Sequence, residues 1–225
     1  MGYTNSKLVQ YTKLSPNHSG KRNHAIDTIT IHCVVGQCRV ESLGALFADP
    51  NFGASSNYGI GYDGRIGMFV EEKNRSWCSS SSENDNRAVT IEVASDTKEP
   101  YAVTDAAYKS LIKLVADICK RNGIKKLVWS KNKSDRVNHK NGCNMTVHRD
   151  YCPQKSCPGT YLYDRHGKIA EEVNKILNPP APKKKTIYRV QVGSYLNRQL
   201  AEELLSDVKK AGFPAAVIVK AEIST

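Results

Sequence analysis

The sequence predicts an α/β fold, and three segments carry that prediction. Residues 28–35 (TITIHCVV) and 88–94 (AVTIEVA) alternate their side chains with the two-residue period of a β-strand. Residues 104–123 carry apolar side chains at helical spacing, with Thr104 as a good N-cap and Asn122-Gly123 as the stop. Strands that alternate with helices along a chain are typical of an α/β domain.

Two further helices and one turn belong to the same domain. Residues 164–177 have an apolar stripe at helical spacing, and residues 42–47 favour a short helix. Residues 62–65 (YDGR) are typical of a hairpin turn between two strands. Cys33 and Cys119 lie on the apolar sides of their elements, so we expect them in the core. Four histidines stand in polar surroundings and are expected at the surface: His18, His24, His139 and His166.

A proline-rich, basic stretch from Asn178 to Thr186 divides the chain. Such a stretch can neither form a helix nor pair as an inner strand, so we expect an extended spacer. The predicted organisation is a domain over residues 1–178, a linker over residues 179–186 and a second piece over residues 187–225.

The piece after the linker has the pattern of strand, helix and strand. The strands are predicted over residues 187–192 and 215–219, and the helix over residues 198–211. Thirty-nine residues are few for an independent core, because small domains bury too little surface to offset chain entropy. This βαβ piece could therefore be half of a larger module.

Composition excludes several classes of protein. With 40% hydrophobic and 24% charged residues, the chain has enough apolar side chains for a core, which argues against intrinsic disorder. No apolar run approaches the roughly 20 residues that a bilayer-spanning helix needs. Residues 1–13 lack the hydrophobic stretch of a signal peptide, so we expect a protein made in the cytoplasm.

The charge balance favours a polyanionic partner. Lys and Arg number 33 against 22 Asp and Glu, a net charge of +11 that suits nucleic acid, an acidic lipid surface or an anionic wall polymer. No nucleic-acid-binding motif or aromatic stacking pattern accompanies the charge, so a nucleic-acid partner is not expected. The seven cysteines form no CxxC pair and are interpreted as thiols or metal ligands before disulfides.

Three residues are candidate ligands of a catalytic metal: His32, His148 and Cys157. Two imidazoles and one thiolate would leave the fourth position of a tetrahedral zinc open for water. Their spacing alone does not decide the matter, because two buried, hydrogen-bonded histidines and a core cysteine explain it as well. A glycosidase would need two carboxylates that flank a sugar bond, and the sequence offers no evident pair.

Five blocks in order carry a family resemblance: TITIHCVVG, SSNYGIGYDGRI, AVTIEVAS, TVHRDY and QKSCPG. Over roughly residues 25–178 the chain resembles the zinc-dependent N-acetylmuramoyl-L-alanine amidases of type 2, a family that includes amidase-type phage lysozymes and is similar to peptidoglycan recognition proteins. The resemblance implies a mixed, mostly β central sheet flanked by helices. It also implies hydrolysis of the amide between the lactyl group of N-acetylmuramic acid and the first L-alanine of the stem peptide.

The resemblance assigns metal ligands and therefore zinc as the cofactor. His32 matches the first zinc ligand and His148 the second. Cys157 stands where the family has Cys or Asp before Pro-Gly. Members of the family that lack a ligand at this position are often not catalytic, so the cysteine favours an enzyme.

Three more residues match catalytic positions of the family, and each has a plainer alternative. Glu92 stands where amidases carry their proposed catalytic carboxylate, or it is a structural carboxylate paired with an arginine. Lys155 matches a lysine thought to stabilise the transition state, or it is a solvated charge. Tyr58 matches a tyrosine with a role in some phage members, or it is a packing tyrosine. Residues 78–86 (CSSSSENDN) form a polar loop that borders the substrate cleft or is a surface excursion.

The C-terminal piece has its own resemblance. Residues 188–195 (YRVQVGSY), with the helix that follows and residues 212–217 (GFPAAV), are similar to the start of a SPOR domain, a module that binds the glycan strands of peptidoglycan. Only about half of the usual two βαβ units is present. A second copy of the chain could complete the sheet, which would make a homodimer, or the piece is a remnant without function.

Together these features predict a zinc-dependent peptidoglycan amidase joined to a partial wall-binding module. Without a signal peptide it resembles a phage or prophage endolysin, which reaches the wall once the membrane has been opened. A cytoplasmic recycling amidase and unconventional export stay open as alternatives. Its partners would be the muramyl peptides of bacterial peptidoglycan and, through its charge, anionic wall polymers. The alternative is a non-catalytic recognition protein that kept the cleft and lost the chemistry.

Overall fold

The computed structural model describes residues 3–179 and 188–222. The chain divides into two compact units between residues 180 and 181. Each unit is described below by itself. No helix in the described ranges is long and apolar enough to cross a membrane.

The first unit contains every strand of the described residues and all but one of their helices. The strands are β1 Tyr11–Thr12, β2 His18–Lys21, β3 Thr28–Cys33, β4 Tyr58–Ile60, β5 Ile66–Met68, β6 Asn74–Ser76, β7 Ala88–Val93 and β8 Met145–Thr146. The helices are α1 Val40–Ala48, α2 Ser82–Arg87, α3 Asp105–Asn122, α4 Lys133–Val137, α5 His148–Tyr151 and α6 Gly159–Leu177, with short 3-10 turns at Pro50–Phe52 and Lys140–Gly142.

Six strands form the mixed central sheet in the order β1-β5-β4-β7-β3-β8. Strands β4, β7, β3 and β8 run parallel, whereas β5 is antiparallel to β4 and β1 is parallel to β5. Strands β2 and β6 form a separate antiparallel pair. The α/β fold with a mixed sheet flanked by helices is therefore confirmed.

The two central strands set the geometry of everything that follows. β3 and β7 pair in parallel over their full length, with His32 directly opposite Glu92. Because side chains alternate along a strand, Ile31 and Ile91 share the opposite face. On that face they pack into one apolar cluster with side chains of α3 and α6, while α1 belongs to a second cluster around Phe69.

The predicted strands and helices of this unit agree with the observed ones apart from their ends, but the polar loop predicted over residues 78–86 is wrong in its second half, which lies in helix α2 Ser82–Arg87. Thr104 caps α3 by accepting the backbone N–H of Ala107, and Gly123 ends it in the left-handed conformation with φ of 72°. Strand β3 ends at Cys33, two residues before the predicted end. Helix α6 begins at Gly159, five residues before the predicted start. The fully buried Leu162 explains that earlier start, because it extends the apolar stripe by a turn.

The prediction that His166 lies at the surface is wrong. The side chain is fully buried on α6, where its Nδ1 lies 2.7 Å from the carbonyl oxygen of Leu162. Its ring centroid lies 4.4 Å from that of Trp129. The prediction rested on the polar residues beside His166 in the sequence, but His166 itself lies on the buried face of the helix.

The second unit contains one helix in its described part, α7 Arg198–Lys210, which Asn197 caps by accepting the backbone N–H of Gln199. The helix agrees with the prediction, but the two strands do not. Residues 188–192 and 215–219 form no strand, and residue 187 lies outside the described residues. A strand needs a partner for its backbone N–H and C=O groups, and neither segment pairs with the other. Most of linker 179–186 also lies outside the described residues.

Candidate active site

His32 lies at the centre of the candidate site. The side chain is fully buried near the carboxyl end of β3, on the face opposite the apolar cluster. Its Nδ1 lies 3.4 Å from Cys157 Sγ and 3.9 Å from Glu92 Oε1. Its Nε2 is buried and has no hydrogen-bond partner in the described part of the chain. The imidazole therefore presents Nδ1 to the site.

His148 reaches the same point from the neighbouring strand. It is the first residue of α5, two residues after the end of β8, and its ring centroid lies 5.1 Å from that of His32 in an edge-on arrangement. The start of α5 is held by Asp150, which accepts the backbone N–H of Val147 at 3.2 Å and forms a buried ion pair with Arg136. A buried bidentate pair of this kind fixes the helix and with it the histidine.

Cys157 enters the site from the loop between α5 and α6. The backbone N–H of Cys33 donates to Cys157 Sγ at 3.4 Å. Arg149 of α5 donates to the carbonyl oxygen of Ser156 at 2.6 Å and so ties this loop to the helix that begins with His148. One ligand atom from each of His32, His148 and Cys157 lies within 4.8 Å of the other two.

This donor set fits zinc. Zinc in proteins prefers imidazole nitrogen and thiolate sulfur, and three protein ligands leave a fourth position for water or substrate. Burial lowers the pKa of His32 well below its usual value, and burial followed by the charge of Lys155 lowers the pKa of His148 to about 4. Both imidazoles are therefore neutral at physiological pH, which is the form that binds a metal. Burial, with the neighbouring Cys33, raises the pKa of the Cys157 thiol well above its usual value, so a bound cation would be needed to stabilise the thiolate.

Glu92 faces the same space from β7. Its side chain is 18% exposed, and burial raises its pKa to about 8, an effect that the charge of Lys155 opposes. Cys78 Sγ lies 3.8 Å from Glu92 Oε1, while Oε2 is without a hydrogen-bond partner in the described residues. A carboxyl group that titrates near neutral pH can both take up and release a proton.

Lys155 is exposed on the loop before Cys157. It lies close enough to act electrostatically on both Glu92 and His148. The structure thus brings four of the six predicted residues to one place, His32, His148, Cys157 and Glu92, with the charge of Lys155 near them.

Tyr58 is the exception, and it belongs to the apolar side of the sheet. In β4 it lies opposite Ile91 rather than Glu92, so its side chain is on the other face. It is fully buried, and its hydroxyl donates to Glu72 at 2.6 Å and accepts the backbone N–H of Ser6 at 2.9 Å. The plainer reading, a packing tyrosine with a satisfied hydroxyl, is the one that the geometry supports.

Two residues of the loop before α2 also reach the site. Besides the contact of Cys78 with Glu92, Ser80 Oγ lies 2.9 Å from His148 Nε2. The sequence marks this segment only as a polar loop, and no periodicity identifies which of its serines faces inward. The only signal in the sequence that could have placed this loop at the site is its resemblance to a loop that borders the substrate cleft in the amidase family.

Comparison with known proteins agrees with the fold. The sheet, with two histidines and a cysteine gathered near the carboxyl ends of its strands, defines an α/β protein with a candidate metal site. A sequence model described as N-acetylmuramoyl-L-alanine amidase matches residues 22–160, more than half of the chain, and the protein belongs to that family. A SPOR domain model matches residues 168–220, beginning inside α6 rather than at the predicted residue 187. No curated protein matches the chain.

Solved structures share the fold at low sequence identity. A selenomethionine derivative of AmpD superposes with a TM-score of 0.55 at 20% identity, covering 76% of this chain and 99% of that one. A mutant endolysin from Bacillus subtilis gives 0.51 at 15% identity, covering 72% and 97%. The Drosophila peptidoglycan recognition protein SA gives 0.51 at 16% identity, covering 68% and 88%. At these identities the likeness establishes the fold alone.

Proposed function

We propose that the protein is a zinc-dependent N-acetylmuramoyl-L-alanine amidase that cleaves the amide between N-acetylmuramic acid and L-alanine in bacterial peptidoglycan. The observation that carries the proposal is the convergence of His32, His148 and Cys157 within 4.8 Å, with Glu92 3.9 Å from His32. Membership of the amidase family supplies the substrate class.

His32, His148 and Cys157 would hold the zinc. When bound, zinc supplies a Lewis acid for the scissile carbonyl and makes water nucleophilic near neutral pH. The three side chains come from β3, α5 and the loop before α6, so the folded chain fixes their positions before any substrate arrives.

Glu92 would transfer the proton. In hydrolysis the oxygen of water forms a bond to the carbonyl carbon of the lactyl group, and the bond between this carbon and the nitrogen of L-alanine breaks. Glu92 would accept a proton from the attacking water and return it to the departing amine, since it faces the site with Oε1 3.9 Å from His32 Nδ1. The positive charge of Lys155, exposed at the edge of the site, would stabilise the negative charge that develops on the carbonyl oxygen.

End-group analysis of digested peptidoglycan tests this function. We expect new free L-alanine amino groups without new reducing sugar, and no new groups when a zinc chelator is present. Glu92→Gln should retain the fold and lower the rate by about 10²–10⁴, the usual range for a lost general base. Tyr58→Phe is the matched control, because its ring lies on the other face of the sheet, and it should keep the wild-type rate.

Two outcomes would contradict the proposal. Turnover that survives chelation would remove zinc from the chemistry. A protein that sediments with the wall but creates no new ends would be a non-catalytic recognition protein.

We further propose that the protein acts as an endolysin, with residues 1–178 as the catalytic domain, residues 179–186 as a linker and residues 187–225 as a wall-binding module. The SPOR match and the net charge of +11 support attachment to peptidoglycan and to anionic wall polymers. In bacteria that accumulate the protein in the cytoplasm, we expect lysis only after the membrane is permeabilised, as followed by culture turbidity. Lysis without permeabilisation would argue against this route.

A further inference from the structure

The carboxamide of Asn84, in α2, is buried and fully hydrogen-bonded. The residue is 3% exposed. Its Nδ2 donates to Thr30 Oγ1 and to Ser79 Oγ, both at 3.0 Å. Its Oδ1 accepts from Thr146 Oγ1 at 2.9 Å and from the hydroxyl of Tyr151 at 3.0 Å. An amide has two N–H donors and two lone pairs, so every hydrogen-bonding position of this side chain is used.

Two of these partners belong to the strands that lead to the histidines. Thr30 and Thr146 are paired in register across β3 and β8, and each stands two residues before a histidine, His32 or His148. Their hydroxyls lie 2.7 Å apart, so Asn84 closes a ring of three hydrogen bonds over the two strands. In a buried, low-dielectric place such a ring is rigid, and it fixes the spacing of the two strand ends.

The third partner, Ser79, lies in the loop before α2, next to the residue that contacts His148. Asp85 accepts the backbone N–H groups of Cys78 and Ser79, and Asn84 holds the Ser79 hydroxyl, so the loop is anchored immediately before Ser80. Ser80 adopts φ of 61°, a conformation that non-glycine residues rarely take unless their surroundings impose it. In that conformation its hydroxyl lies 2.9 Å from His148 Nε2.

The fourth partner, Tyr151, lies in the same short helix as His148. Strand β3, strand β8, helix α5 and the loop of Ser80 therefore meet at one side chain, although Asn84 contacts neither histidine. Because Ser80 engages Nε2, the ring nitrogen left for a cation on His148 is Nδ1. A serine hydroxyl can donate to a ring nitrogen or accept from it, so this contact does not choose the tautomer, but it occupies Nε2 and leaves Nδ1 to face a cation.

We propose that Asn84 is a positioning residue of the metal centre: it fixes the spacing of His32 and His148 and holds Ser80 against His148. This inference rests on the proposed zinc-dependent function. Outer partners of metal-bound histidines typically change metal affinity by about 10–100-fold when they are removed. The same range is expected here.

The test compares two buried asparagines in the full-length protein. Asn57, like Asn84, is buried, and its carboxamide accepts the backbone N–H of Thr90 at 3.1 Å and donates to the carbonyl oxygen of Val70 at 3.2 Å. Thr90 lies on β7, which carries Glu92 but none of the three proposed zinc ligands. Val70 lies two residues after the end of β5. Both Asn84→Ala and Asn57→Ala should lower the melting temperature. In chelator competition at a temperature where all proteins are folded, only Asn84→Ala should bind zinc about 10–100-fold more weakly.

A second measurement needs no metal. In the metal-free protein, the ¹⁵N chemical shifts of the His148 imidazole should be alike in the wild type and in Asn57→Ala, and should differ in Asn84→Ala, where Ser80 is no longer held against Nε2. Where Asn84→Ala does not fold, Thr146→Val opens the same ring and should weaken zinc binding, and Ser79→Ala frees the loop of Ser80 and should change the ¹⁵N shifts.

The outcomes separate the two proposals. Wild-type zinc affinity together with wild-type ¹⁵N shifts of His148 in Asn84→Ala would overturn the role of Asn84. A wild-type protein that binds no zinc would overturn the proposed function instead, and the ¹⁵N comparison would still decide whether Asn84 positions His148.

Discussion

His166 shows how a single buried side chain makes stability depend on pH. Burial, with the nearby charges of Arg136 and Arg149, lowers its pKa to about 4, although Asp150 acts in the opposite direction. In the unfolded chain a histidine titrates near 6.5. Below that pH the unfolded chain takes up a proton that the folded chain refuses. The free energy of unfolding therefore falls as the pH falls from about 6.5 towards 4.

His166→Gln should remove this component of the pH dependence. Between pH 7 and pH 5 we expect the wild type to lose about 2 kcal/mol more than the variant, measured by urea unfolding at both pH values. His24→Gln changes an exposed histidine and serves as the control. Its free energy of unfolding should fall between pH 7 and pH 5 by as much as that of the wild type. Equal losses in the wild type and His166→Gln would show that other groups carry the effect.

At the scale of residues, the sequence pointed to the side chains that converge at the candidate site better than to the residues that support them. His32 and Glu92 lie in strands with clear alternation, so the period of a strand predicts which face of its strand each side chain occupies. In the parallel register of β3 and β7, the two side chains share one face of the sheet. Tyr58 lies in a strand of three residues, too short for an alternation that would reveal its face. Asn84 and Ser80 act through contacts between distant segments, which no local pattern encodes.

At the scale of elements, long periodic segments were predictable and short ones were not. α3 has 18 residues, an N-capping threonine and a C-terminal glycine, and its bounds follow from those signals. β1 and β8 have two residues each, and they are strands only because β5 and β3 offer them an edge. Such pairing is decided by the assembled sheet.

The C-terminal segments illustrate the converse. Residues 188–192 have strand-like alternation, yet they form no strand, and side chains such as Tyr188 and Val190 are 91% exposed. Local preference for an extended backbone is weak unless another strand accepts its hydrogen bonds. The helix between the two segments needs no such partner, since its hydrogen bonds are internal, and α7 forms as predicted.

At the scale of the whole molecule, the division between residues 180 and 181 predicts separable functions. Removing residues 181–225 should leave turnover of soluble muramyl peptides unchanged, because every residue of the candidate site lies before residue 160. Co-sedimentation with purified cell wall should decrease, as measured by the fraction of protein pelleted at physiological salt. Loss of soluble turnover in the shortened chain would assign the C-terminal unit to the catalytic assembly.

The parallel register of β3 and β7 has a consequence for the newly made chain. A shift of one residue between these strands would turn Glu92 into the apolar cluster and bring a valine or an isoleucine opposite His32. The candidate site therefore forms only in the native register of β3 and β7. The last of its proposed ligands, Cys157, stands 125 residues after His32, so a polypeptide still on the ribosome cannot complete the site until almost the entire first unit has been synthesised and has folded.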